Sequence, residues 1–454
     1  MATGSRSTRR FPNPDQPTVA IGRGARRVGT TTRARGGAIP LTGSLRLPLI
    51  VGGVHLVIVQ LAASLAYRYG TFNGASPPYG NEPATITGFW DQLVNPLRTW
   101  DGLWYRLVAI EGYEGSTAKA AFWPLFPWTM RVVGDTIDIP YEVAGYLIAN
   151  VCFVAALVLL YRLLILDFDQ RTAACALWVL ALFPTASFFS AVYTEAPFLL
   201  LLVGSLLAGR QQRWWLAGGV GLLAALTRSY GVFLVLPLGL LFVQQYGFDL
   251  RRWVPRGIAV LLPFGGPAIF SRHLADVQGN AWAWRDVQTE WCRFSAMPWE
   301  TLRWSLSNER GFCDSKGIAG PPAQGAEWGW LRELVNEPRW SLIVSNAWRK
   351  SLGDSDTLEL ACTVLFIGLT LIGLRRLPLY LTAYLIPGLL VPLFQPSTVH
   401  ALMSMPRFGL TLFPLFVVVA TLIEGRAIAK PLAVLSTIVL VLLTIQFSQW
   451  YWVS

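Results

Sequence analysis

Asp101 is the residue in this chain whose setting most favours chemistry. It stands between two tryptophans in Trp100–Tyr113, WDGLWYRLVAIEGY, after the first long apolar run and ahead of all the others. Read as a helix over 98–111, the stretch places Trp100, Leu103, Trp104, Leu107 and Val108 on one face. That apolar stripe is expected to lie on a bilayer, with Asp101 at its margin and Tyr105 one turn further on. Gly102 leaves room for a ligand, and Gly112 can end the helix. An ionisable group embedded at a membrane is a functional candidate in its own right. One carboxylate at a lipid surface suits glycosyl transfer from a lipid-linked sugar phosphate. A glycosidase needs two acids because an alkoxide leaves poorly, whereas a phosphate leaves without protonation. A single base then takes the proton of the attacking hydroxyl, and arginines hold the departing phosphate through their fork of donors.

The elements that must position Asp101 are membrane helices. The chain has 454 residues, 53% hydrophobic and only 14% charged, against about 25% charged in a soluble protein. Apolar runs recur from about residue 47 to the end, so the expected fold class is all-α, a polytopic helical membrane protein. Spans are expected at roughly 47–67, 141–164, 172–190, 193–209, 214–228, 230–246, 256–271, 357–374, 379–394, 407–424 and 431–452, about eleven in all. The first should remain as a signal anchor. The run 121–134, with Pro124 and Pro127 among bulky aromatics, is expected to be re-entrant or interfacial. The organisation expected is a disordered basic cytoplasmic tail over 1–42, an N-terminal transmembrane module over 43–271 whose first outer loop (68–140) carries Asp101, an outer segment over 272–356, and C-terminal helices over 357–454.

The formal charge of +11 sits largely in the Arg-rich tail and in short loops. It reads as positive-inside topology, with the N-terminus cytoplasmic, and not as nucleic-acid binding. With 121–134 not spanning, Arg210, Arg213, Arg251, Arg252, Arg256, Arg375, Arg376, Arg426 and Lys430 all fall inside. Asp101, Glu111, Glu195, Arg228, His400 and Arg407 all fall at the outer face, which is why they are read together as one site. Segment 272–356 also falls outside and is dense in tryptophan, suited to a headgroup belt or to stacking on sugar rings. Cys292 and Cys313 lie in it, where a disulfide is permitted but spacing alone does not decide it. Cys152, Cys175 and Cys362 fall in spans as packing residues. Three histidines in the whole chain argue against a histidine-based metal site, and no metal or cofactor is expected beyond the lipid-linked substrate.

Five stretches carry a resemblance: WDGLWYRLVAIEGY (100–113), AFWPLFP (121–127), LFPTASFFSAVYTEAPFLLL (182–201), LAALTRSYGVFLVLP (223–237) and PRFGLTLFP (406–414). In order and spacing they resemble the PIG-V-like mannosyltransferases, of the GT-C class of integral membrane glycosyltransferases. The resemblance implies a GT-C-like bundle, a polyprenyl- or dolichyl-phosphate-mannose donor, inversion at the anomeric carbon and a non-cytoplasmic active site. It puts the catalytic acid on Asp101 and the YTE glutamate on Glu195, the two candidates for catalysis, and the TR arginine on Arg228 with a further arginine on Arg407, both suited to the donor phosphate. Trp123 and Phe126 depart from the family's usual aromatics but keep an aromatic wall. Trp100, Trp104, Tyr105, Trp123, Glu111 and His400 are the candidates to touch sugar or acceptor. The implied partners are membrane lipids, the sugar donor and a glycolipid or glycan acceptor, in the plasma membrane of a bacterium or the ER of a eukaryote. The other reading, a transporter or flippase of a lipid-linked saccharide, wants charges near the midplane and paired repeats. The sequence has neither.

Overall fold

The computed structural model describes residues 45–70, 86–248, 250–306, 312–313, 319–320 and 355–453. The expected tail over 1–42, and much of the expected outer segment 272–356, lie outside the described residues. Helices longer than one turn are numbered in chain order: α1 Arg46–Tyr69, α2 Asp101–Glu111, α3 Leu125–Ile137, α4 Tyr141–Leu164, α5 Gln170–Ala181, α6 Glu195–Arg210, α7 Trp214–Thr227, α8 Val235–Tyr246, α9 Leu250–Leu261, α10 Gly265–Gln278, α11 Pro298–Leu306, α12 Ser355–Arg376, α13 Leu379–Phe394, α14 Met405–Thr411, α15 Pro414–Ile423 and α16 Ala429–Ser448. A two-residue antiparallel ladder pairs Phe312–Cys313 with Ala319–Gly320.

Among the described residues, six helical stretches are long and apolar enough to cross a membrane, or seven if α14 and α15, bent by 83°, count as one span. Fewer stretches pass that test than the eleven or so expected, because prolines break apolar runs. The run expected as a span over 172–190 ends as helix at Ala181, ahead of Pro184, and resumes only as a short 3-10 turn, Ala186–Phe189. A residue before proline is pushed out of the helical region, so Phe183 cannot continue the helix. α6, α7 and α13, of 16, 14 and 16 residues, extend about 1.5 Å per residue and fall short of a ~30 Å hydrocarbon core. α3, at 13 residues, is shorter still, in keeping with a 121–134 run that does not span.

Two apolar clusters form the interior among the described residues. The larger gathers α1, α4–α8 and α12–α16 around Phe153, Phe189, Phe198, Tyr384 and Phe413. The smaller surrounds α2, with Trp104, Tyr105, Val108, Phe122, Phe126, Met130 and Phe270. This corrects the expectation for the apolar stripe of α2. Trp104 and Val108 are buried, not laid on a bilayer, because the aromatic run after α2 folds beneath it: Phe122 stacks on Trp104 at 5.4 Å. An ion-pair triad then fixes α2 to the start of α4, with Arg98 and Arg106 both 2.7 Å from Glu142. Arg98 is therefore engaged by Glu142.

Glycines set the closest approaches. At Gly231, a Cβ would sit 2.3 Å from the Ala225 nitrogen and 2.4 Å from the Ala224 carbonyl carbon. Only the missing side chain lets the 3-10 turn Ser229–Leu234 lie directly on α7, and that turn orients its neighbour Arg228.

Candidate active site

The chain enters α2 through Trp100, which holds a left-handed φ of 57°. A non-glycine residue there is strained unless its surroundings enforce it. The enforcing contacts are visible. The Trp100 ring packs against Trp450 and Trp452 at 5.8 and 5.2 Å. The Val192 N–H donates to the Leu97 carbonyl at 2.9 Å. The Tyr193 hydroxyl bridges the strap, donating to the Thr99 carbonyl and accepting the Asp101 N–H, each at 3.1 Å. Asp101 thus opens α2 with its backbone held on both sides.

Asp101 Oδ2 accepts a hydrogen bond from Arg407 at 2.6 Å. Its Oδ1 takes no hydrogen bond from the described residues. Arg407 also comes within 3.3 Å of Glu195 Oε1, and the same oxygen accepts from Arg228 at 2.5 Å. The four charges form a chain, Asp101–Arg407–Glu195–Arg228, in which Glu195 is 1% exposed and opens α6, where the helix dipole favours an acid. Glu195 Oε2 is buried with no hydrogen-bond partner among the described residues. The Tyr105 hydroxyl pairs with Thr194 at 3.2 Å. Burial, then the negative charges of Asp101 and Glu195, raise the Tyr105 hydroxyl above its usual value; the same causes, Asp101 first among the charges, hold Tyr193 neutral. Neither tyrosine is a base at neutral pH.

These residues open on a cavity of about 620 Å³. Of the residues expected at the site, Trp100, Asp101, Trp104, Tyr105, Trp123, Arg228 and Arg407 line it. Glu195 lies beneath the wall as the partner of both arginines. Glu111 and His400 stand apart from it: Glu111 pairs with the buried Lys119 at 2.6 Å, and His400 with Asp356 at 2.6 Å.

The cavity also holds Trp284 and Trp291, from the tryptophan-dense segment, and four residues not singled out from sequence, Arg285, Arg293, Tyr230 and Phe408. Trp291 and Arg293 flank Cys292, which forms a disulfide with Cys313, Cα to Cα 5.6 Å. Residues 292–296 run beside 394–398, with Phe294, Ala296 and Thr398 hydrogen-bonded across. Arg293 donates to the Gln395 carbonyl at 3.1 Å and has no carboxylate partner among the described residues. Desolvation lowers its guanidinium from the ordinary value. The tryptophan density of 272–356 was the one sequence signal pointing here. Nothing in the spacing of a loop arginine distinguishes Arg293 from a surface charge.

Four arginines line the cavity against Asp101 and the underlying Glu195, an excess of two positive charges. The walls are aromatic, with Trp104 meeting Trp291 edge-on at 5.7 Å and Trp123 beside Trp284 at 5.6 Å. Such a site can hold an anion beside flat apolar rings while keeping one carboxylate oxygen available.

Residues 45–250 match the family described as Mannosyltransferase (PIG-V). The resemblance to that family is borne out over the first four motif stretches, and PRFGLTLFP (406–414) lies beyond the match. GPI mannosyltransferase 2 of Cryptococcus neoformans var. neoformans serotype D, in each of two strains, is 30% identical over 168 residues, covering 34% of this chain and 39% of the relative. The chain thus spans about two-fifths of the curated relatives it matches. Two structures of the Archaeoglobus fulgidus oligosaccharyltransferase, one tethered to an acceptor peptide and one apo, superpose with TM-scores of 0.39 and 0.40 at 14% identity, covering 88% of this chain and 55% of theirs.

Proposed function

We propose that this chain is a membrane mannosyltransferase that moves mannose from a polyprenyl- or dolichyl-phosphate-mannose donor to a lipid or glycan acceptor. The observation that carries the reading is the cavity itself, with four arginines lining it against one lining carboxylate, Asp101, and the buried Glu195 beneath. The match to the PIG-V family over residues 45–250 supports it.

Asp101 is the base. Oδ1 takes the proton of the acceptor hydroxyl as that oxygen forms its bond to the anomeric carbon. The bond from the anomeric carbon to the phosphate oxygen breaks on the opposite side, so the configuration inverts. The electron pair leaves with polyprenyl phosphate. Arg407, tied to Asp101 and Glu195, orients the base. Arg228 and Arg293 receive the phosphate: Arg228 uses one terminal nitrogen on Glu195 and Thr194, and Arg293 spends one on a carbonyl. A guanidinium has five N–H donors, which leaves both with capacity for an oxyanion. The phosphate role expected for Arg407 from sequence thus passes to Arg293.

The cavity faces the non-cytoplasmic side. Glu195 and Arg210 are the two ends of α6. At the far end Arg210 pairs with Asp167 at 2.7 Å and Tyr380 donates to the same acid. The positive-inside rule puts that end, with Arg213, Arg375 and Arg376, in the cytoplasm.

The test is transfer of labelled mannose from the polyprenyl-phosphate donor to membrane glycolipids by purified full-length protein. Asp101→Asn is expected to lower kcat by about 10²–10⁴-fold, the usual range for losing a general base. Near-wild-type turnover by that variant would refute Asp101 as the base. Flux of lipid-linked saccharide without covalent product would refute the transferase.

A further inference from the structure

Asp356 and Glu359 lie one turn apart at the start of α12 and so share a helix face. His400 reaches them from the loop between α13 and α14. One ligand atom from each of the three lies within 4.8 Å of the others, and His400 Nδ1 is 2.6 Å from Asp356 Oδ1. Glu359 is fully buried. Its Oε1 accepts the Ser404 N–H at 3.1 Å. Its Oε2 is buried with no hydrogen-bond partner among the described residues. A buried carboxylate oxygen left bare is costly unless a proton or a cation meets it.

We propose that Asp356, Glu359 and His400 bind one divalent transition-metal ion of the zinc type, which ties the 395–404 loop to the head of α12. The donor set decides the class. One imidazole nitrogen with two carboxylate oxygens suits Zn²⁺, with Mn²⁺ as the nearest competitor. Ca²⁺ takes about six to eight oxygen ligands, and Mg²⁺ keeps an octahedron of oxygens. The site lies outside the cavity lining, so its role is to position. The loop it ties down delivers Met403 and Ser404 to the cavity wall and leads directly into α14, which carries Arg407 to Asp101. No metal-ligand spacing marks these residues in the sequence. His400 joins the acids only through the folding back of α13, and a set of one His with two carboxylates does not need the several histidines whose lack argued against a histidine-based site. The inference stands whether or not the chain transfers mannose, because its readout is metal content.

Full-length protein without a polyhistidine tag is stripped with EDTA at neutral pH, gel-filtered, and titrated separately with ZnCl₂, MnCl₂, CaCl₂ and MgCl₂. Zinc content is measured by mass spectrometry and Tm by a thermal melt. Wild-type protein is expected to retain about one Zn²⁺ per chain after gel filtration, with a higher Tm than the stripped form. Glu359→Gln and His400→Ala should each weaken Zn²⁺ binding by at least about tenfold. Both should keep the elution volume of the stripped wild type, and His273→Ala should bind as wild type. Less than about a tenth of a Zn²⁺ per chain with no Tm shift overturns the site, as does undiminished binding by both variants or a preference for Ca²⁺ or Mg²⁺.

Discussion

Asp101 and Glu195 are joined through one guanidinium, and this coupling decides what each does. Arg407 occupies one oxygen of Asp101 and the other takes no hydrogen bond among the described residues, so the acid is both held and available. Glu195 has no such freedom. It is buried under two arginines, and its removal would strip Arg228 of its carboxylate among the described residues and leave Arg407 with Asp101. Glu195→Ala is expected to cost about 3–5 kcal/mol of stability, the usual penalty for breaking a buried ion pair. An unchanged melting temperature would show that the pair network is not built this way. Arg293 predicts the opposite signature. Arg293→Ala should raise the KM for the donor with little change in Tm, whereas Arg407→Lys should lower kcat, since an ammonium cannot reproduce the fork that spans two acids. If Arg293→Ala leaves KM for the donor unmoved, the phosphate is held elsewhere.

At the scale of elements, the site depends on three short pieces that are not spans. The first is the strap Leu97–Asp101, which hands Asp101 to α2 through a left-handed tryptophan. The second is the 3-10 turn after α7, whose Gly231 touches the α7 backbone. Gly231→Ala must push that turn off α7, and Arg228 with it. A loss of about tenfold or more in kcat/KM is expected, since misplacing a binding group by about an ångström costs up to 10²-fold. A variant with unchanged kinetics would mean the turn yields without moving Arg228. The third piece is 291–296, fastened by Cys292–Cys313 on one side and by the backbone of 394–398 on the other. Cys292→Ser, or dithiothreitol on the wild type, should loosen this piece, raising the donor KM and leaving the membrane helices folded by circular dichroism. Equal KM values with and without reductant would count against it.

For the whole molecule, the membrane sets direction. Acids and arginines of the cavity sit at one end of the bundle and Arg210, Asp167 and Tyr380 at the other. Single-cysteine labelling in sealed, right-side-out vesicles reads this directly. Arg285→Cys, on an exposed side chain at the cavity rim, should react with an impermeant maleimide, and Arg213→Cys, exposed at the opposite end, should react only after permeabilisation. The reverse pattern would invert the topology and place the cavity in the cytoplasm.

Composition and apolar period were enough to determine the class of molecule, since a segment with no polar partner for lipid must be helical. They also placed α1 and α4 nearly to the residue, because those runs are long and unbroken. Asp101, Glu195, Arg228 and Arg407 were legible for a related reason: a charge beside an apolar run stands out from its surroundings. What those charges do to one another was not legible. The link from Asp101 to Arg407 joins residues 306 positions apart, and no local periodicity encodes such a distance. The same limit hid Arg293, an ordinary loop arginine until the 394–398 backbone and a disulfide turn it into the cavity. It hid the burial of the α2 stripe, where an aromatic run supplied the apolar cover that sequence had assigned to lipid. Fewer helices than expected from the apolar runs are long enough to span on their own, because hydropathy sums over a proline that breaks a helix, as it does at Pro184. Local patterns determined which residues are membrane-borne and which are charged at its edge; tertiary packing alone decided which charges meet.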